Sequence, residues 1–156
     1  MARRLVRRLR SGRYKLALTD DERDVLRALP GQLIELLADG TDPSLRRLFP
    51  PAYHEAEHAG QEAEYQRLMH DDLTRRHAEA LEVITATVDA GEVDTEQLHG
   101  WLRGLNELRL VIGTRLDVSE ETFDRELDPA DHDAPALALY AYLGWLQEHV
   151  VEALSG

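Results

Sequence analysis

Apolar residues fall at helical spacing through most of this chain, most densely from Trp101 to Val118. There Leu98, Leu102, Leu105, Ile112 and Leu116 recur every three to four residues, and Trp101, Leu108 and Val111 widen the stripe. So broad a stripe predicts a central helix covered on most sides, capped by Asp94 or Thr95. A second helix is predicted to open at the capping box Thr19-Asp-Asp-Glu22, to carry Val25, Leu26, Leu29, Leu33, Leu36 and Leu37, and to stop near Gly40. Pro30 lies inside it and is expected to kink or split it. Pro43 suits the first turn of a short helix ended by Pro50-Pro51, with Leu45, Leu48 and Phe49 docking on the core.

From Glu57 to Val88 one long helix is predicted, its stripe formed by Met69, Leu73, His77, Ala80, Ile84 and Val88 with Tyr65 and Leu81 beside it. Gly91 should end it. An acidic linker, Ser119 to Asp133, precedes a last helix from about Ala136 to Leu154, with Leu139, Leu143, Leu146, Val150 and Leu154 at core spacing. Only the N-terminus changes period. Leu5 and Leu9 alternate with arginines, Ser11-Gly12 marks a turn, and Tyr14, Leu16 and Leu18 alternate on the return, which predicts a β-hairpin. A lone two-stranded hairpin is marginal, so it should pack on the helices or pair with a second copy. The expectation is a mainly α fold: one domain over residues 1–156, with a basic β-hairpin at 1–18 and a bundle of four main helices at 19–156.

Charge sharpens this picture. The chain carries 18 basic and 30 acidic residues, a net charge of −12, yet Arg3, Arg4, Arg7, Arg8, Arg10, Arg13 and Lys15 crowd into its start. The hairpin arginines are the candidate partner-binding residues, because the acidic remainder would repel a phosphate backbone. A protein partner is favoured over DNA on that ground. There are no cysteines, which excludes disulfides, thiolate metal sites and thiol redox switches. No stretch reads as a signal peptide or membrane span, and a cytoplasmic protein without membrane contact is expected.

Candidate chemistry is sparse. His54-Glu55-Ala56-Glu57-His58 matches HExxH, in which two helical histidines hold zinc and the glutamate serves as base. Gly60 and Glu64 stand where the metzincin extension needs other residues, and nothing singles out Glu79 or Glu82 as a third ligand. No metal, cofactor or enzymatic activity is therefore expected; His54 and His58 remain the metal candidates, and a small metal-dependent hydrolase the alternative. His77 reads as a hydrogen-bonded core or interface histidine, and His70 with Asp71 and Asp72 as a solvated face. Arg109 shares a face with Leu102, Leu105 and Ile112 and predicts a structural ion pair, since an unpaired buried charge costs several kcal/mol. Gly100, Gly104 and Gly113 predict close helix–helix approach, a dimer interface being one setting. The Tyr140–Trp145 patch reads as core. A homodimer is expected.

Three blocks carry a resemblance: DPSLRRLFPPAY (42–53), WLRGLNELRLVIGTRLDV (101–118) and YAYLGWLQEHVVEAL (140–154). Together they resemble an actinobacterial family described as a domain of unknown function, whose members are often encoded beside the Clp protease adaptor and labelled transcriptional regulators (AosR-like). The resemblance implies a non-enzymatic, transcription-associated protein acting on a sigma factor, RNA polymerase or DNA, with a Clp-linked adaptor as another alternative. The absence of cysteine means that thiol sensing cannot carry over. Within the blocks, Trp101, Asn106, Arg109, Arg115 and Trp145 are the expected core and ion-pair residues.

Overall fold

The computed structural model describes residues 4–49, 59–116 and 134–156, with side chains from residue 63 onward in the second of these. Their order is β1 (Val6–Arg8), β2 (Tyr14–Leu16), α1 (Asp20–Asp39), a 3-10 turn (Pro43–Arg47), α2 (Ala59–Thr87), β3 (Glu92–Val93), α3 (Thr95–Arg115) and α4 (Ala134–Ser155). The fold is mainly α, four helices with a small antiparallel strand pair at the N-terminus. Helix α3 packs between α2 and α4, and α1 lies against α2.

Local chemistry accounts for most boundaries. Thr19 Oγ1 accepts the Glu22 amide at 3.2 Å while the Thr19 amide donates to Glu22 Oε1 at 2.8 Å, completing the capping box of α1. Gly40, at φ 74°, closes the helix in the left-handed region that glycine enters without penalty. Asp94, not Thr95, caps α3, and Gln97 returns the bond to the Asp94 amide. Asp42 caps the 3-10 turn with Pro43 in its first position. The last helix begins two residues before the expected Ala136, so that Pro135 sits in the first turn of α4, where a missing N–H costs nothing.

Several expectations are corrected. Pro30 does not split α1: Leu26, Pro30, Leu33 and Leu37 form its buried face, so the ring is spent on packing at a core position. The upper part of the α2 stripe is not core. Tyr65, Leu68 and Met69 are 60%, 64% and 42% exposed, whereas Leu81, Ile84 and Val88 are buried. A 29-residue helix spans about 44 Å against about 30 Å for α1 and α3, so its N-terminal turns outrun them. Trp145 is 40% exposed, and Asn106 is exposed, so neither belongs to the core. Trp101 is fully buried, and its indole N–H donates to Thr87 Oγ1 at 2.7 Å.

The α3 glycines are consumed within the protomer rather than at a dimer interface. A Cβ on Gly100 would sit 2.8 Å from Val83, one on Gly104 2.6 Å from Ile84, and one on Gly113 3.1 Å from the Tyr140 ring. Close approach to α2 and α4 is what they permit. The hairpin likewise finds support in its own chain. β3 adds antiparallel to β2, pairing Val93 with Tyr14 and Glu92 with Lys15, to give the order β1-β2-β3. Leu5, Val6, Tyr14, Leu16 and Leu18 join the same buried cluster as the helical leucines.

Candidate functional site

The hairpin turn is set by Gly12. Its amide donates to Leu9 O at 3.0 Å, and its φ of 87° lets the chain turn back so that the Leu9 amide reaches Arg13 O at 2.7 Å. This is the three-residue loop in which a left-handed glycine matches the twist of the two strands. The resulting register places Val6 opposite Leu16, Arg7 opposite Lys15 and Arg8 opposite Tyr14. Val6, Leu16 and Tyr14 are buried, while Arg7, Arg8 and Lys15 are exposed.

Two cations therefore face each other directly across the strands, an arrangement that works against hairpin stability. Arg4, Arg7, Arg8 and Arg10 are all exposed and have no ion pair among the described residues. Several arginines elsewhere are paired, Arg23 with Asp20, Arg27 with Asp24 and Asp89, Arg75 and Arg76 with Asp72, Arg115 with Asp42, whereas Arg46, Arg47, Arg67, Arg103 and Arg109 are scattered and have no ion pair among the described residues. Arg13 departs from its sequence group. It bridges to Glu92, 3.6 Å from the carboxylate, and ties β2 to β3. Arg3 lies outside the described residues.

Beside β1 runs the C-terminal half of α4. His149 Nδ1 accepts the Leu5 amide at 3.3 Å, which leaves the ring proton on Nε2. Trp145 meets the His149 ring edge-on at 4.9 Å. A cleft of about 310 Å³ separates the strand from this helix, lined by Arg4, Val6, Arg7 and Arg8 on one side and His149 and Glu152 on the other.

The interior holds one polar constellation that sequence spacing could not reveal. His77 Nδ1 lies 2.6 Å from Glu107 Oε1, and its Nε2 lies 3.1 Å from Leu48 O. A carbonyl only accepts, so Nε2 carries a proton, and a second proton is shared between Nδ1 and the carboxyl group. Glu107 is 8% exposed and its Oε2 has no hydrogen-bond partner among the described residues. Burial pushes the Glu107 carboxyl up from its ordinary value, against the pull of His77. The Glu107 hydrogen bond raises His77, against desolvation. Phe49 packs edge-on against His77, so the pair pins the 3-10 turn to α2 and α3.

Among the described residues Arg109 does not form the expected carboxylate pair. Its guanidinium donates to Gln147 Oε1 at 2.7 Å and to the Tyr140 hydroxyl at 3.4 Å, and lies 4.9 Å from the centre of the Tyr140 ring. The face of an aromatic ring and two neutral acceptors stabilise the half-buried cation in place of an anion. Arg115 does find an acid, Asp42, at 2.8 Å, and donates to Ser44 Oγ at 3.2 Å. Hydrogen bonds from Ser44, then Arg115, hold the Asp42 carboxyl down at about 2. His54, Glu55 and His58 lie outside the described residues, and Glu79 and Glu82 are exposed on α2. Among the described residues no three histidine, aspartate or glutamate side chains are grouped as metal ligands. None of the described helices is long and apolar enough to cross a membrane.

Fold and face together define a helical bundle that presents a cationic strand edge. Residues 2–154 match the family described as Domain of unknown function (DUF2017), and the chain belongs to that family. Neither the curated proteins nor the solved structures contain a match to it.

Proposed function

We propose that this protein is a non-catalytic regulatory binding protein that docks on an acidic surface of the transcription machinery, a sigma factor or an RNA polymerase subunit, through its hairpin. The observation that carries this reading is the unneutralised cluster of Arg4, Arg7, Arg8 and Arg10, with Arg7 set against Lys15 across the strands. In a chain of net charge −12 there is no shortage of carboxylates to pair them. Leaving them free costs hairpin stability, and an acidic partner restores it. The partner class comes from the regulators that the sequence resembles. DNA is the less favoured partner, because the acidic body would be drawn against phosphates along with the hairpin. A Clp-linked adaptor would use the same face with a different protein. The hydrolase reading rests on His54, Glu55 and His58, and no described feature adds to it.

The test compares the native chain with an Arg4→Ser, Arg8→Ser, Arg10→Ser variant for binding to purified polymerase holoenzyme across a salt series. Binding at low salt is expected for the native chain and loss of binding for the variant, with helical circular dichroism unchanged. A duplex DNA control separates the partners. Four phosphate contacts would give a slope of log K against log salt of about −3.6. Native-like binding by the triple variant would remove the hairpin as the recognition element.

A further inference from the structure

The register of the sheet says more about how a partner would sit. The Ala17 amide donates to Leu5 O and the Leu9 amide to Arg13 O, while the Leu16 amide turns away to Gly91 O. In an antiparallel ladder the inward and outward peptide groups alternate. Arg7 and Leu9 and the Leu5 carbonyl thus bond towards β2, the Leu5 amide is taken by His149 of α4, and the N–H and C=O groups of Val6 and Arg8 alternate to the opposite side. That side is the outer edge of the sheet, since β1 is its terminal strand. Arg4, Val6, Arg7 and Arg8 of this terminal strand segment also line the cleft against α4.

Resting on the binding reading above, we infer that the outer edge of β1 is a strand-addition site for an extended acidic segment of a partner protein. The segment lies in the cleft between β1 and the last turns of α4. Its backbone meets the four outward peptide groups of Val6 and Arg8, the mode by which an exposed strand recruits an extended peptide. Its carboxylates meet Arg4, Arg7 and Arg8, which have no acid of their own among the described residues. Glu152 is the acidic group on the opposing wall, so the charged side chains of the segment are directed to the strand side. Trp145, 40% exposed and set against His149, adds an apolar shoulder just beyond the cleft.

A second copy of the chain is the wrong occupant. Pairing Val6-Arg7-Arg8 with itself would stack arginine on arginine along the new ladder, where like charges destabilise. Charged side chains on an edge are a common guard against such self-association. Here the guard is of one sign only, which bars the chain's own strand and admits an acidic one.

The experiment uses the full chain and a labelled, terminally blocked peptide of alternating glutamate and valine, read by fluorescence anisotropy at low salt. Arg8→Ser removes one cation. Arg8→Pro removes the same cation together with the outward N–H, at an edge position where proline leaves the β1–β2 ladder intact. Arg8→Pro is expected to bind about tenfold more weakly than Arg8→Ser. The same peptide N-methylated at alternate residues should lose a similar factor on the unaltered protein, which keeps the test valid if Arg8→Pro misfolds. Amide exchange at Val6 and Arg8 should slow on addition of the unmethylated peptide. Equal binding by the two Arg8 variants and by both peptides would overturn strand addition while leaving the arginine-mediated reading intact. Undiminished peptide binding by an Arg4→Ser, Arg7→Ser, Arg8→Ser variant would overturn both. Tighter binding of a single-stranded oligonucleotide of equal charge, indifferent to Arg8→Pro, would assign the cleft to nucleic acid and overturn the acidic segment.

Discussion

Replacing Gly104 by alanine sets two well-measured effects against each other, and the structure decides the sign. In an exposed helix the substitution would stabilise by about 1 kcal/mol, because glycine loses more backbone entropy on ordering. At Gly104 the new Cβ lands 2.6 Å from Ile84 Cδ1 and 3.0 Å from the Ala80 carbonyl oxygen. The Ile84 side chain is fully buried and has no solvent to retreat into, and the Ala80 oxygen belongs to the backbone of α2. Relief requires α2 and α3 to separate by several tenths of an ångström, and overpacking of this kind costs about 1–3 kcal/mol. A backbone obstacle places the cost in the upper part of that range. The net expectation is a loss of about 1–2 kcal/mol, or roughly 3–6 °C in Tm for a chain of this size. Gly31 in α1 supplies the internal control, since a Cβ there meets nothing within 4 Å. Gly31→Ala should therefore stabilise by up to about 1 kcal/mol. Urea unfolding followed by far-ultraviolet circular dichroism measures both. If the two variants raise the midpoint together, the helices are not in the contact on which this reasoning depends.

The remaining predictions concern the buried polar groups. Glu107 and His77 both hold their protons more tightly in the folded protein, above their ordinary values of 4.5 and 6.5. Folding therefore takes up protons. The contribution is fully present below 4.5 for the carboxyl and below 6.5 for the imidazole, and it is lost as pH rises through the raised values. Native stability, measured relative to a His77→Leu, Glu107→Leu double variant, should fall as pH rises above 4.5 and again above 6.5, and a flat difference would refute the shared proton. His77→Leu alone should cost about 3 kcal/mol at neutral pH, because it strands the carboxylate among apolar neighbours. Thr87→Val preserves shape but removes both the acceptor for the Trp101 indole and the donor to Val83 O, bonds of 2.7 and 2.6 Å. A loss of about 1–3 kcal/mol is expected, with the near-ultraviolet signal of Trp101 reporting the change; an unaltered midpoint would show that the indole finds another partner.

The helices, their caps and the hairpin were legible in the sequence because the forces behind them are local. A threonine three residues before a glutamate, a glycine where φ must turn positive, and leucines every three to four positions act within a few residues of one another. The arginine cluster was legible for the same reason, since it is contiguous in the chain. What needed the tertiary structure was every question about which partner a residue meets. Periodicity marked Tyr65 and Met69 as it marked Ile84, but only the relative lengths of α2 and its neighbours decide which turns are covered. Pro30 reads as a breaker until the face it fills is known. Arg109 announced a need for stabilisation, yet that it is met by Tyr140 and Gln147 depends on how α4 crosses α3. The His77–Glu107 pair spans 30 residues, and the Lys15–Glu92 register joins strands 77 residues apart. Contacts of that separation leave no spacing in a single sequence, because they are chosen by the packing of whole elements rather than by the residues between them.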